Sequence, residues 1–262
     1  MSPADRVSEA WVVPSIDAAA APLVSILIPS HRPELLTEAL ASVWAQTVDR
    51  SQYEVLINSA ADWYTNKINA IAQIARGKYL CVLCDDDLLA PTHLERCLAL
   101  TRGNFDIIYT DIQFFGDRDD VYELPSFGLN TFRHAACPWM SGALVKRSLW
   151  NEIGGHRAGI ILQDTAFWIE CALRGADAAH VREPLTLARQ HGTQGAKMID
   201  KSRAALELQS LYPDIFPSPF VTPVDPAAPK DGRGIVPRVF FPPHLLESDT
   251  RQSFHRFGTE TQ

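Results

Sequence analysis

Three consecutive carboxylates, Asp85, Asp86 and Asp87, follow directly on an apolar run and are the most chemically pointed feature of the sequence. Adjacent negative charges at the end of a buried strand repel one another unless a cation compensates them. Oxygen ligands of this kind suit Mg2+ or Mn2+, which keep coordination positions for water and substrate phosphates. The plain alternative is a solvated acidic turn ahead of the helix that begins near Pro91, where negative charge is favoured. A second feature is the turn Pro29-Ser-His-Arg-Pro33, whose backbone donors and Arg32 could face a nucleotide. An ordinary strand-to-helix turn capped by Ser30 explains it equally well. The third is Asp164, which opens Gln163-Asp-Thr-Ala-Phe-Trp168. An Asp there is commonly only a helix-start charge, but a carboxylate fixed at a helix start and facing a cleft can accept a proton from an attacking hydroxyl.

The elements around these residues follow from hydrophobic period. Val24 to Ile28 reads as a strand stopped by Pro29, and Leu35, Leu36, Ala39, Leu40, Val43 and Trp44 recur at helical spacing after Pro33. The unit repeats with a strand at 54–57 and a helix at 66–76 stopped by Gly77. Tyr79 to Cys84 is apolar on both faces, as a central strand covered on both sides must be. A helix from Pro91 to about Thr101, strands at 106–110 and 142–145, helices at 148–153 and 164–174, and short strands at 178–181 and 185–189 complete the pattern. Alternating strands and helices imply parallel crossovers and an α/β fold whose ligands sit at the carboxyl ends of the strands. Residues 1–22 read as a loose leader or an edge wrap. Residues 111–138 lack a clean period and read as a loop region that shapes an acceptor site. Half of the eighteen prolines lie between Pro213 and Pro243, which predicts an extended tail over 213–262.

Taken in order, the segments from about Val24 to His191 resemble the family 2 glycosyltransferases of the GT-A fold. The stretch Val24-Ser-Ile-Leu-Ile-Pro-Ser-His-Arg-Pro-Glu-Leu-Leu36, with Ala41-Ser-Val-Trp-Ala-Gln-Thr47 behind it, is similar to that family's opening strand, turn and helix. Leu83-Cys-Asp-Asp-Asp-Leu-Leu-Ala-Pro91 is similar to its metal motif. Gly142 to Gly155, Asp164 to Gly175 and Pro184-Leu-Thr-Leu-Ala-Arg-Gln-His191 follow in the family's order. The resemblance implies a GT-A-like, Rossmann-type sheet, mixed but mainly parallel and flanked by helices, over residues 23–212. It also implies inverting transfer of a sugar from a nucleoside-diphosphate sugar to an acceptor hydroxyl, with Mn2+ or Mg2+ as cofactor. In that scheme Asp164 is the catalytic base, and Asp86, Asp87 and His191 serve the metal. Pro29, Ser30, His31, Arg32, Glu34, Asn58, Lys67 and Asp85 face the nucleotide.

Three departures accompany the resemblance. The second strand ends in Asn58-Ser59, where the family carries paired Asp residues that read the base, so a UDP-sugar is only the default donor; Trp63 and Tyr64 offer stacking in their place. Cys84 stands where many relatives have the first metal-motif Asp, and Gln163 stands where Glu is usual. A nucleotidyltransferase would need a Gly-rich basic loop after the first strand, for which Ser30-His31 is a poor substitute. A non-catalytic nucleotide-sugar or glycan-binding module is the remaining alternative.

Whole-chain properties bound the rest. A net charge of -7 supplies no basic field for a phosphate backbone, so nucleic acid is disfavoured as a partner, though a hydroxylated base stays open beside glycan, lipid-linked and protein acceptors. No run of eighteen apolar residues or secretory leader occurs, and the five unevenly spaced cysteines suit reduced thiols, so the expectation is a cytoplasmic protein without a transmembrane segment. Cys81 and Cys84 form a CxxC spacing, but residues three apart on a strand face opposite ways, which argues against a shared metal. The proline-rich tail could reach a second copy, leaving a homo-oligomer open.

Overall fold

The computed structural model describes residues 10–13, 21–134, 141–191 and 201–216. In chain order these form β1 (Ala10–Val13), β2 (Val24–Pro29), α1 (Pro33–Trp44), β3 (Tyr53–Asn58), α2 (Tyr64–Ile74), β4 (Tyr79–Val82), β5 (Leu88–Leu89) and α3 (His93–Ala99). They continue as β6 (Ile107–Gly116), β7 (Val121–Tyr122), α4 (Leu129–His134), β8 (Leu144–Lys146), α5 (Arg147–Ile153), α6 (Gln163–Leu173), β9 (Ala178–Gln190) and α7 (Lys201–Leu211). The strands make a single mixed sheet ordered β1-β3-β2-β4-β8-β6-β9-β5, with β7 on the flank of β6. The two longest ladders, β2 with β3 and β6 with β9, are parallel, as is β2 with β4. The shorter ones, including β4 with β8, are antiparallel.

Helices cover both faces, and the alternation along each strand shows which side chain serves which layer. Leu27, Leu56 and Leu80 point to one core, where they meet Ile68 and Ile71 of α2 and Phe167 and Ile169 of α6. Their neighbours Ile26, Val55 and Cys81 point to the other, against Ala39 and Val43 of α1 and Leu94 and Cys97 of α3. This two-sided burial is why the central strands read as unbroken apolar runs. Among the described residues no helix is long and apolar enough to cross a membrane.

Several elements differ from the sequence expectation. Ala10–Val13, inside the segment read as a leader or edge wrap, pairs antiparallel with β3 as an edge strand. The region 111–138, read as loop, holds the second half of β6, then β7 and α4; its residues 135–138 lie outside the described residues. Asp111 broke the apolar run there, but its buried carboxylate accepts from the Leu124 N–H (2.8 Å) and lies 2.8 Å from His180 Nε2, so the strand continues through it. The two short strands near 178–189 are one strand, β9, whose register against β6 shifts around Thr110 to Ile112, opposite Pro184. Proline has no N–H to give the ladder, and such positions are where bulges fall. Helix α7 carried no recognised signal, and packed core runs past Pro213 to the buried Ile215 and Phe216. Residues 217–262, most of the expected tail, lie outside the described residues.

At the end of the sheet away from the acidic motif, the buried Glu54 carboxylate accepts from Ser25 Oγ (2.7 Å), from the Arg76 N–H (2.7 Å) and from Arg76 Nε (2.9 Å). Gly77 donates to Ser25 Oγ (2.8 Å), and a Cβ at Gly77 would lie 2.5 Å from the Ser25 backbone nitrogen, so only glycine allows this approach. Glu54→Ala leaves several donors unmatched and is expected to cost about 2–3 kcal/mol in urea unfolding, with Glu54→Gln costing less.

Candidate active site

The acidic motif leaves the end of β4 as a tight turn closed by the Asp87 N–H donating to the Cys84 carbonyl (3.2 Å). Asp85 is almost wholly buried and turns back toward the β2 end. Its Oδ2 accepts from the His31 N–H (2.5 Å) and the Arg32 N–H (2.7 Å), while Oδ1 accepts from Arg32 Nε (3.2 Å) and Nη2 (2.8 Å). Burial alone would raise its pKa, but these donors outweigh it and hold the carboxyl below the usual range. Asp86 faces Arg32 Nη2 (2.9 Å) and His191 Nε2 (3.1 Å).

Asp87 takes Ser141 Oγ on Oδ2 (3.0 Å) and the Arg189 N–H on Oδ1 (3.1 Å). Burial, then the charge of Asp86, push its pKa to about 7. Arg189 also donates through Nε to the Asp86 carbonyl (3.1 Å), and β5 pairs with β9 beside it. The Arg-x-His segment therefore serves the acidic turn through the backbone and guanidinium of Arg189 as well as through His191. Ser141 was not singled out from sequence, and a lone serine after an irregular stretch offers no signal.

The remaining candidate residues flank this turn. Pro29 ends β2 opposite Asn58, and Ser30 donates its N–H to the Asn58 carbonyl (2.9 Å) without capping α1 through its side chain. The buried Lys67 donates from Nζ to the Ser30 carbonyl (2.5 Å) and lies 3.1 Å from His31 Nδ1. His31 is held below its usual pKa by burial, then by Lys67. Asn58 is buried and turned inward: Nδ2 donates to the Lys67 carbonyl (3.2 Å) and Oδ1 accepts from the Ala60 N–H (3.0 Å). Glu34 is exposed in the first turn of α1.

Tyr64 joins the two halves of the site. Its ring stacks on His31 (6.5 Å between centroids) and on His156 (6.3 Å), and its hydroxyl lies 3.8 Å from Cys84 Sγ. Burial raises its pKa well above the ordinary value, and through His156, which packs on Phe167 of α6 (5.2 Å), it connects the acidic turn to that helix. Asp164 keeps solvent contact in the first turn of α6, yet the protein packed round it makes burial the largest influence on its carboxyl. That raises its pKa, and the Thr165 N–H (2.7 Å) offsets only part of the rise. Trp63, beside Tyr64, is 83% exposed.

No family model matches the chain. The uncharacterized protein y4gI of Sinorhizobium fredii is 29% identical to it over 60% of this chain, which spans only 21% of that relative's length. Among solved structures, S. aureus TarS 1-349 in complex with UDP-GlcNAc superposes with a TM-score of 0.57 at 12% identity, covering 73% of this chain and 65% of that one. The mannosyltransferase PcManGT from Pyrobaculum calidifontis, in complex with GDP-Man and Mn2+, gives 0.52 at 14% identity over 76% of this chain and 66% of its own. The fold is GT-A-like. Among the described residues, Cys84 Sγ and one oxygen each from Asp86 and Asp87 all lie within 4.8 Å of one another, a donor set that could hold a divalent ion. Asp85, committed to the Arg32 turn, is not in that group. In the metal-free protein, Asp87→Asn removes a buried charge beside Asp86 and is expected to raise unfolding stability by about 1–3 kcal/mol, read by thermal unfolding at neutral pH.

Proposed function

We propose that the chain is an inverting, metal-dependent glycosyltransferase that takes its sugar from a nucleoside-diphosphate donor, with Asp164 as the catalytic base. The supporting observation is the cluster of Cys84, Asp86 and Asp87 at the end of β4 of a GT-A-like fold, with Tyr64 beside Cys84 and packed through His156 on α6, whose first turn carries Asp164. TarS with UDP-GlcNAc and PcManGT with GDP-Man and Mn2+ make a nucleotide-sugar and a divalent ion the natural first ligands to test, with a UDP-sugar as default.

In this reading the β2 turn and His191 receive the diphosphate, with Arg32 already fixed in place by Asp85. The acceptor hydroxyl oxygen forms its bond to the anomeric carbon as the bond to the diphosphate oxygen breaks, and Asp164 takes the hydroxyl proton. Asp86 and Asp87 would hold a Mn2+ or Mg2+ ion, which would supply positive charge against the leaving diphosphate. Desolvation by the protein packed round it raises the pKa of the Asp164 carboxyl, which favours proton uptake, while its exposure leaves it open to an acceptor.

Asp164→Asn is expected to lower kcat by about 10²–10⁴-fold while leaving nucleotide affinity within a few-fold. A base acts only when deprotonated, so the wild-type rate should fall as pH drops through the raised Asp164 pKa, and this acid limb should disappear from the residual rate of the Asn variant. Unchanged turnover in Asp164→Asn would remove it as the base. In thermal-shift measurements with UDP, GDP and their sugars, stabilisation by a nucleotide should require Mn2+ or Mg2+. Absence of any metal-dependent shift would sink the donor assignment.

A further inference from the structure

The described cysteines divide sharply by environment. Cys81, Cys97 and Cys171 are buried in the core, and Cys81 Sγ donates to the Gly142 carbonyl (3.3 Å). Cys84 is only partly buried, and its Sγ lies within 4.8 Å of oxygens on both Asp86 and Asp87. A hydrophobic role does not explain a thiol that faces two carboxylates and a tyrosine hydroxyl. Metal ligation does, because a dication compensates all three groups together and a coordinated thiol gives up its proton.

We infer that Cys84 Sγ is a ligand of the site's divalent ion alongside Asp86 and Asp87, and that it turns the site's preference from hard ions such as Mg2+ toward ions of borderline softness such as Co2+ and Zn2+. The inference rests on the metal reading above and adds the identity of one ligand and its effect on selectivity. Mg2+ demands a near-octahedral shell of hard oxygens and gains little from sulfur. Thiolate favours the later first-row ions, whose affinities already rise from Mn2+ to Co2+ at a given site. Three protein ligands leave positions for diphosphate oxygens and water, as a catalytic metal centre requires. Asp85 cannot take the place of the thiol, because its oxygens are filled by the His31 and Arg32 donors.

The test is a Co2+ titration of the purified full chain, alone and with UDP or GDP, followed by absorption and calorimetry. The wild type should show a thiolate-to-cobalt charge-transfer band that saturates at one equivalent. Cys84→Ser should lose the band and about tenfold or more in Co2+ affinity, with a smaller change for Mg2+. Cys84→Asp should move the Co2+ to Mg2+ affinity ratio toward Mg2+. Matching metal-free circular dichroism of wild type and Cys84→Ser checks that folding is retained. Cobalt binding that Asp86→Asn abolishes but that produces no thiolate band, or a Co2+ to Mg2+ ratio unchanged in Cys84→Ser, overturns the ligand assignment and leaves the metal reading standing. If the wild type binds neither Co2+ nor Mg2+ with any of these nucleotides, both fall.

Discussion

The bond set around Asp85 is the constraint on which the rest of the site depends. A carboxylate buried this deeply is tolerable only if its lone pairs are filled. Here they are filled by two successive backbone N–H groups and the two prongs of the Arg32 guanidinium. The turn after β2 is thereby bolted to the turn after β4, its parallel neighbour. Arg32, held at its base, extends to Asp86 (2.9 Å) and to His191 Nε2 (3.3 Å). Three strand ends are drawn to one point by a residue whose own oxygens are used up in doing so.

Asp87 receives its environment from the other direction. β9 pairs in parallel with β6 and antiparallel with β5, so its end runs alongside the acidic turn and presents the Arg189 N–H to Asp87. Gly142, at φ +76°, lets the chain bend beside Thr186, where a Cβ would lie 2.7 Å from Thr186 Oγ1. The preceding Ser141 then reaches Asp87 Oδ2. Those contacts lower the pKa of a buried carboxylate, but burial and then the Asp86 charge outweigh them and hold it at about 7. The acidic turn is thus fixed by hydrogen bonds from the turn after β2, from Ser141 and from β9.

The β2, β3 and β4 units were legible in the sequence because both faces of each strand are apolar and each following helix has a clear start. The continuation of β6 was not, because a buried Asp interrupts its pattern and the compensating contacts come from Leu124 and His180, both distant in sequence from any local cue. α7 went unread because nothing local announces it; its buried positions, Ala204 and Leu208, are a single turn apart. Within the site, residue types announced a charged centre, while the division of labour among the three Asp residues depended on which neighbours filled their oxygens. Asn58 illustrates the same limit. Its place at the end of β3 points to the base, yet its amide is spent on the Lys67 carbonyl and the Ala60 N–H, and so helps to seat Lys67 under the β2 turn.

Helix α6 is linked to the acidic turn by a row of packed rings. Phe167 of α6 packs on His156 (5.2 Å), His156 on Trp150 (5.0 Å) and on Tyr64, and Tyr64 on His31 and Cys84. The peptide groups of His156 are tied to α2 through Asn69, whose Oδ1 accepts the His156 N–H (3.0 Å) and whose Nδ2 donates to its carbonyl (2.8 Å). A histidine in such a row would be a liability if it titrated near neutrality, since a new charge would disturb both turns at once. Burial instead pushes its pKa down to about 3, so it remains a neutral aromatic over the working range. His156 therefore adds no charge beside Tyr64 near neutral pH, and the row from α6 to the acidic turn is held there by aromatic packing.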